Sequence, residues 1–218
     1  MNDTKGMNDT KGTTKRRPDH VCLFAVASEQ HGLFTAAQAK ACGFGSDLVA
    51  HTTRSGRFVR IHRGVYRLRD YPSSPEEAIA AAWLAVGKEH AVVSHESALE
   101  LLGLGDVIAD RIHLTVPRAQ RYVRPPAGTI LHTTTRPLED EEVVVRGGIR
   151  LTDAPRAILD AAEGGTEPAQ IAQAVREAVA RGLVTPSGLA AAARARGRRV
   201  RRVADDALEQ AERRAAAR

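Results

Sequence analysis

Residues 33–69 read LFTAAQAKACGFGSDLVAHTTRSGRFVRIHRGVYRLR, and this stretch decides the fold of the N-terminal part of the chain. Thr35 is suited to begin a helix that stops at Gly43, and Ser46 is suited to begin a second helix that stops at Gly56. Two short helices joined by a tight, glycine-containing turn are typical of a helix-turn-helix. The pattern therefore predicts a helix-turn-helix in this part of the chain.

A basic hairpin is expected directly after these helices. Polar and apolar residues alternate over 57–61 and again over 65–69, and residues 62–64 supply the turn between the two runs. A short amphipathic helix that starts near His20 precedes the helix-turn-helix. The combination predicts a winged helix over residues 20–72.

The net positive charge lies at the N-terminal end of the chain. Residues 1–72 hold twelve Lys and Arg against six Asp and Glu, a difference that equals the formal net charge of +6 for the whole chain. A basic N-terminal part joined to a neutral remainder predicts that the N-terminal part binds a polyanion and that the remainder binds a different partner. An aromatic content of 4% argues against single strands, which are bound largely by stacking on aromatic rings.

Residues 1–19 are expected to form a disordered polar tail. They lack periodic apolar residues. They also contain MNDTKG twice in succession, so either Met1 or Met7 can serve as the start of the chain.

The second of the two helices and the hairpin are predicted to contact double-stranded DNA. Helical spacing places His51 and Arg54 on the face that would enter the major groove, while Leu48, Val49 and Thr52 face the other helices. The arginines of the hairpin would lie along the phosphate backbone. The predicted DNA-binding residues are Ser46, His51, Thr53, Arg54, Arg57, Arg60, His62 and Arg63. Two alternatives remain open, namely that His51 is a plain surface histidine and that the winged helix makes protein contacts only.

Residues 73–218 are expected to form a second, mixed α/β domain with a helical C-terminal part, so that the whole chain is an α+β protein. The sequence at 74–77, Ser-Pro-Glu-Glu, is typical of a helix start. Strands are predicted at 112–116, 129–133, 142–146 and 149–151, and helices follow to the C-terminus.

The sequence carries none of the common motifs for nucleotide binding, nucleophilic serine or zinc-dependent hydrolysis, and neither a cofactor nor a metal is expected. Its eight histidines are scattered, and Ser-His-Glu-Ser at 94–97 is interpreted as a capped helix start. Cys22 and Cys42 are too few for a disulfide framework and form no CxxC pair. No apolar run is long enough to span a membrane, and no signal peptide is recognisable. These observations favour the cytoplasm and exclude a membrane partner.

Several runs together resemble the AbiEi family of antitoxins of type IV toxin–antitoxin systems, over about residues 20–196. They are GLFTAAQAKACGF, LVAHTTRSGRFVRIHRGVYRL, AVVSHESALELLGL, RIHLTVPR and LTDAPRAILDAA. The resemblance implies an N-terminal winged helix and a mixed α/β antitoxin domain. It implies an autorepressor that binds DNA at its own promoter and an antitoxin that counteracts a co-encoded, AbiEii-like nucleotidyltransferase toxin.

Two other functions stay open at this point. The first is a phosphotransferase that modifies the toxin with ATP and Mg²⁺, for which Asp153, Arg156 and Asp160 are the catalytic candidates. Thr152 would cap the helix that carries them, and a plain ion pair between Asp153 and Arg156 would equally explain their spacing. The second is a transcriptional regulator with a small-molecule sensor domain and no toxin.

Overall fold

The computed structural model describes residues 17–216, and the side chains of residues 17–214. Of the expected tail at 1–19, residues 1–16 lie outside the described residues. The placement of Asp19 in that tail is wrong, because its side chain caps α1 by accepting the N–H of Cys22 at 2.9 Å. The N-terminal part contains three helices and a small sheet with the strand order β1-β3-β2, in which both pairs are antiparallel. Its elements are α1 (His20–Ser28), β1 (Leu33–Thr35), α2 (Ala36–Ala41), α3 (Ser46–Arg54), β2 (Phe58–His62) and β3 (Val65–Leu68). This is the winged-helix topology that the sequence predicts.

The helix-turn-helix is built by local hydrogen bonds. Thr35 caps α2, because its hydroxyl accepts the N–H of Gln38 at 3.2 Å and the Gln38 side chain accepts the N–H of Thr35 at 2.8 Å. Gly43 ends the helix with a φ of +85°, a conformation that favours glycine. The expectation that Ser46 caps α3 is wrong, since Gly45 has the extended backbone of the cap and Ser46 is already the first helical residue.

Aromatic side chains form a small core inside the winged helix. The Phe34 and Phe58 rings meet edge to face, with centroids 4.9 Å apart, and Phe44 is also buried. A disulfide joins Cys22 on α1 to Cys42 at the end of α2, with the two Cα atoms 5.7 Å apart. The sequence assigned no pairing to these cysteines, because their proximity depends on how α1 packs against α2. The bond goes against the part of the argument for the cytoplasm that rested on the cysteines, since disulfides are rare in reducing compartments.

The remaining elements form a five-stranded sheet with helices packed against it. The strand order is β6-β5-β4-β8-β7, and the pairs β5–β6 and β4–β8 are parallel. The strands are β4 (Val92–Val93), β5 (Ile112–Pro117), β6 (Thr129–Thr134), β7 (Val143–Arg146) and β8 (Ile149–Thr152). The helices are α4 (Glu77–Val86), α5 (His95–Leu102), α6 (Ala154–Gly164), α7 (Pro168–Ala180), α8 (Pro186–Arg194) and α9 (Arg198–Ala216). The predicted α+β class, with a helical C-terminal part, is confirmed.

Helix α4 packs between the small sheet and the large one. It contacts all three strands of the wing sheet and also β4 and β5. Leu33 and Val65 of the wing sheet therefore belong to the same buried cluster as Ile79 and Trp83 of α4. The helix begins at Glu77 and not at Ser74, whose hydroxyl instead hydrogen-bonds Nδ1 of His31 at 2.8 Å. The wing sheet thus joins the apolar core of the rest of the chain through Leu33 and Val65, while the aromatic core of the winged helix is a separate cluster.

Among residues 17–216, no helix combines the length and the apolar character that crossing a membrane requires.

Candidate nucleic-acid interface

Helix α3 presents one face to the core and the other to solvent. Val49 and Thr52 are buried, and the Thr52 hydroxyl donates to the carbonyl oxygen of Leu48 at 2.7 Å. His51 and Arg54 are exposed on the opposite face. This is the division of faces that the helical spacing predicts, and it leaves the outer face free to meet a groove of DNA.

The two hydroxyl-bearing residues of the predicted set lie at different ends of α3. Ser46 is exposed in the first turn, beside N–H groups that no side chain caps. Thr53 donates its hydroxyl proton to the carbonyl oxygen of Val49 at 2.8 Å. Because that proton is used inside the helix, Thr53 is a weaker phosphate donor in this rotamer than Ser46.

The hairpin extends the cationic surface beyond α3. Arg57, Arg60 and Arg63 are exposed, as is Arg54 at the end of the helix. Within the described part of the chain, no ion pair forms between these four guanidinium groups and a carboxylate. Four unpaired arginines on adjoining elements create a local positive potential that attracts phosphates.

His62, the remaining residue of the predicted DNA-binding set, lies at the tip of the hairpin. A register shift between Arg60 and His62 interrupts the β2–β3 ladder, and Gly64 takes a φ of +76° in the turn. The Nε of Arg60 donates to the carbonyl oxygen of His62 at 3.4 Å. The predicted DNA-binding residues of the hairpin thus lie together at its tip and along β2.

Two other arginines of the hairpin hold the fold together. Arg67 pairs with Glu77 of α4 at 2.9 Å and donates to the carbonyl oxygens of Leu68, Arg69 and Tyr71. Arg69 donates to the carbonyl oxygen of Gly56, at the start of β2. The inward direction of Arg67 was detectable, because it lies two residues after the buried Val65 and so shares its face of the strand.

The phosphotransfer candidates Asp153, Arg156 and Asp160 lie together at the start of α6. Asp153, and not Thr152, caps the helix, by accepting the N–H of Arg156 at 2.9 Å. Thr152 is the last residue of β8, so its backbone belongs to the sheet. Burial raises the pKa of Asp153.

Arg156 forms its intrahelical ion pair with Asp160 and not with Asp153. Its Nε lies 2.9 and 2.8 Å from the two carboxylate oxygens of Asp160. Arg196 approaches Asp160 at 2.7 Å, and Glu142 approaches Arg156 at 3.2 Å. The i,i+4 spacing aligns Asp160 with Arg156, whereas Asp153 is engaged by the backbone. In this arrangement the cluster ties α6 to the loop after α8 and to the turn before β7.

Three histidines from distant parts of the sequence also lie together, so the expectation of scattered histidines is wrong. His95 begins α5, His113 is on β5 and His132 is on β6. Sequence reasoning missed them because the cluster depends on β5 and β6 being neighbours in the sheet. The alternation of side chains along a strand shows that His113 and His132 share a face only when the pairing of β5 with β6 is known.

Within the described residues, the winged helix carries exposed arginines without carboxylate partners on α3 and the hairpin, an arrangement that is typical of DNA-binding regulators. Residues 23–69 match a family model described as "Transcriptional regulator, AbiEi antitoxin". Residues 23–69 are thus similar to the AbiEi antitoxin regulators, and the expected resemblance is confirmed for this part of the chain. The match supports a role as an antitoxin and DNA-binding regulator.

Among solved structures, the fold is similar to that of the RV2827C protein from Mycobacterium tuberculosis. The TM-score is 0.59 with 15% sequence identity, over 90% of this chain and 78% of that one. At this identity the likeness concerns the fold alone. No curated protein matches the sequence.

Proposed function

We propose that the protein is the antitoxin of a type IV toxin–antitoxin system, which represses its own operon and counteracts a co-encoded nucleotidyltransferase toxin in the cytoplasm. The observation that carries the DNA-binding half is the unpaired surface of Arg54, Arg57, Arg60 and Arg63 on α3 and the hairpin. The family match over residues 23–69 supports the antitoxin half.

The bound nucleic acid in this proposal is double-stranded DNA at the protein's own promoter. Helix α3 enters the major groove with His51 and Arg54 toward the base edges, and Arg54 is suited to a guanine edge or a phosphate. Arg57, Arg60 and Arg63 hold the adjacent backbone, because guanidinium groups bind phosphate oxygens well. Ser46 at the start of α3 adds a hydroxyl and free N–H groups for a further phosphate.

The C-terminal part is assigned to the protein partner. Residues 73–218 hold equal numbers of basic and acidic residues. Some of these charges pair with one another, as in Arg156–Asp160, Arg196–Glu163 and Arg136–Glu142. A part of the chain with no net charge attracts phosphates less than the basic winged helix does, which leaves this part for a protein client.

The DNA-binding half is tested with a labelled duplex from the protein's own promoter and a shuffled duplex of equal length and composition. Fluorescence anisotropy at a fixed salt concentration should give tighter binding to the promoter by about a thousandfold, the lower end for specific recognition. Equal affinity for the two duplexes would contradict operator recognition. Failure to bind either would contradict the assignment of the arginine surface to DNA.

The antitoxin half is tested by expressing the neighbouring gene product, alone and with this protein. We expect growth to be restored by the wild type and by the double variant Arg60→Ala, Arg63→Ala, because neutralisation is assigned to the other part of the chain. Persistent growth arrest with the wild type would overturn the antitoxin assignment. The intact mass of the toxin after incubation with this protein, ATP and Mg²⁺ distinguishes the phosphotransferase alternative, which requires the added mass of a phosphoryl group.

A further inference from the structure

The three clustered histidines lie where two strands and a helix start converge. In the parallel pairing of β5 with β6, His113 stands opposite Ile130 and Thr115 stands opposite His132. His113 and His132 therefore project from the same face of the sheet, one residue pair apart. His95 comes from the neighbouring strand, because α5 begins two residues after β4.

The ring nitrogens of this trio are close enough to share one ligand. The Nε2 of His132 lies 3.1 Å from the Nδ1 of His113, and one nitrogen from each ring lies within 4.8 Å of the others. Two nitrogen ligands of a tetrahedral ion stand about 3.3 Å apart, given metal–nitrogen distances of about 2.0 Å. His113 and His132 already have this spacing.

His95 lies against these two rings. Its ring stacks on that of His132, with centroids 3.6 Å apart. The Nδ1 of His95 is hydrogen-bonded to the Ser94 hydroxyl at 2.9 Å, so Nε2 is the nitrogen left for a ligand. To bind an ion together with His113 and His132, the ring has to move out of this stack.

Polar groups lie behind two of the rings, at hydrogen-bond distance from His95 and beyond it from His113. The Thr115 hydroxyl donates to the buried Ser94 hydroxyl at 2.7 Å, which fixes the partner of His95. Glu96 Oε2 lies 3.9 Å from the Nε2 of His113, on the far side of that ring from Nδ1. Metal-ligating histidines commonly donate their second N–H to a carboxylate or another oxygen, which orients the ring and raises its basicity.

The backbone at His95 is held in an unfavourable conformation that places its ring in the cluster. Its φ is +53°, in the left-handed region that residues with a Cβ rarely adopt. Such conformations persist where the surrounding structure enforces them, and they concentrate at functional sites. His95 is also buried, so contacts with solvent do not explain this backbone conformation.

The rings are in the protonation state that a metal requires. Burial, together with the nearby His132, His113, Arg156 and Arg196, lowers the pKa of His95 to about 2. Burial also lowers the pKa of His113 and of His132. Neutral imidazole is the form with a free lone pair.

We propose that His95, His113 and His132 form a binding site for one divalent transition-metal ion, best represented by Zn²⁺, with a fourth position left open. Three imidazole nitrogens suit Zn²⁺ and its neighbours in the first transition row, and they do not suit Mg²⁺ or Ca²⁺, which prefer oxygen ligands. Three protein ligands with an open fourth position characterise sites that bind a water molecule or a further ligand. This site is independent of the DNA-binding surface.

The experiment uses the full chain without a polyhistidine tag, stripped with a chelator and dialysed. Titration with Zn²⁺ should give one ion per chain, and Co²⁺ should give the visible absorption of a tetrahedral nitrogen-ligated site. His132→Ala and His113→Ala should each lower the Zn²⁺ affinity at least tenfold. His90→Ala removes an exposed histidine elsewhere and serves as the matched control, with unchanged affinity. Glu96→Gln should lower the affinity about 10–100-fold through the orientation of His113 and should shift the Co²⁺ spectrum.

A second measurement covers the case in which these variants fail to fold. In the wild type, imidazole nitrogen resonances followed by NMR should move for three of the eight histidines on addition of Zn²⁺. The proposal is overturned by the absence of 1:1 binding, by unchanged affinity in folded His132→Ala, or by shifts at histidines other than these three. In each of those cases the trio is a stack of neutral rings that only fills space.

Discussion

Arg67 on β3 and Glu77 in the first turn of α4 form an ion pair at 2.9 Å that joins the wing sheet to the rest of the protein. Both side chains are mostly shielded from solvent, with relative exposures of 13% and 24%. Arg67 fills its other donor positions with backbone carbonyl oxygens at the end of the hairpin. The guanidinium thus connects the end of the wing to α4.

We expect Glu77→Gln to lower the free energy of unfolding by about 1.5–3 kcal/mol, the contribution of a hydrogen bond to a charged group. The physical reason is that Arg67 keeps its charge in a shielded position and loses its counter-ion. Urea unfolding followed by circular dichroism measures the change. Glu76→Gln, one residue earlier, is the control with no such ion pair, and equal losses in the two variants would contradict the assignment.

The wing arginines should control the salt dependence of DNA binding. The double variant Arg60→Ala, Arg63→Ala removes two phosphate contacts, so the slope of log affinity against log salt should become less steep by about 1.8. If the wild type neutralises four to six phosphates, its slope should be roughly −4 to −5, at about −0.9 per contact. Affinity should fall for all sequences alike, since phosphate contacts carry no sequence information.

The matched control for this measurement is Arg201→Ala, Arg202→Ala. Those residues are also exposed arginines, and they lie on α9 in weak pairs with Asp205 and Asp206. Loss of the same two charges there should leave the slope unchanged. An identical slope in the wing variant and the wild type would show that the hairpin does not touch the backbone.

Glu142 should make a pH-dependent contribution to stability. Although burial opposes the effect, hydrogen bonds from the backbone N–H of Glu139 and from Arg136 and Arg156 lower the pKa of Glu142. A carboxyl group whose pKa is lowered by folding stabilises the protein above its unfolded pKa and loses that contribution as the pH falls through the folded value. Glu142→Gln should therefore cost about 1–3 kcal/mol at pH 7 and progressively less below about pH 4.5.

Urea titrations at pH 7 and at several values down to pH 4 measure that difference. The exposed neighbour Glu141 supplies the comparison, because Glu141→Gln leaves the Arg136 and Arg156 contacts in place. A difference between wild type and Glu142→Gln that stays constant with pH would rule out the ion pairs as its origin.

The Cys22–Cys42 disulfide should stabilise the helix-turn-helix. The two residues are separated by 20 positions in sequence, and closing a loop of this size contributes about 3 kcal/mol. Reduction with dithiothreitol should then lower the Tm by about 6–12 °C in calorimetry. The double variant Cys22→Ser, Cys42→Ser should melt at the lower temperature with or without the reductant. A Tm that is insensitive to dithiothreitol in the wild type would contradict a stabilising bond.

The winged helix was predictable from sequence because its signals are local. Caps, glycine stops and the alternation over β2 and β3 all act within a few residues, so each helix and the hairpin could be placed. Strand β4 has two residues and β1 has three. Strands this short contain too little alternation to detect, and they exist because longer neighbours pair with them.

The orientation of a functional side chain could be predicted only where it follows from the spacing of residues along a helix or a strand. The outer face of α3 follows from helical periodicity, and the structure places His51 and Arg54 there. Which arginines of the hairpin stay unpaired depends on α4, whose Glu77 lies beyond the stretch that forms the wing. The histidine cluster depends on the β5–β6 pairing, which joins residues from two strands that are not adjacent in the sequence.

The shared core under α4 has a consequence for dissecting this protein. Leu33 and Val65 lie against α4 with at most 1% of their surface exposed. A fragment cut after residue 72 would bare that patch to water, and so would tend to aggregate instead of acting as a free-standing DNA reader. The proposed DNA-binding surface is therefore best tested in the intact chain, in which α4 covers Leu33 and Val65.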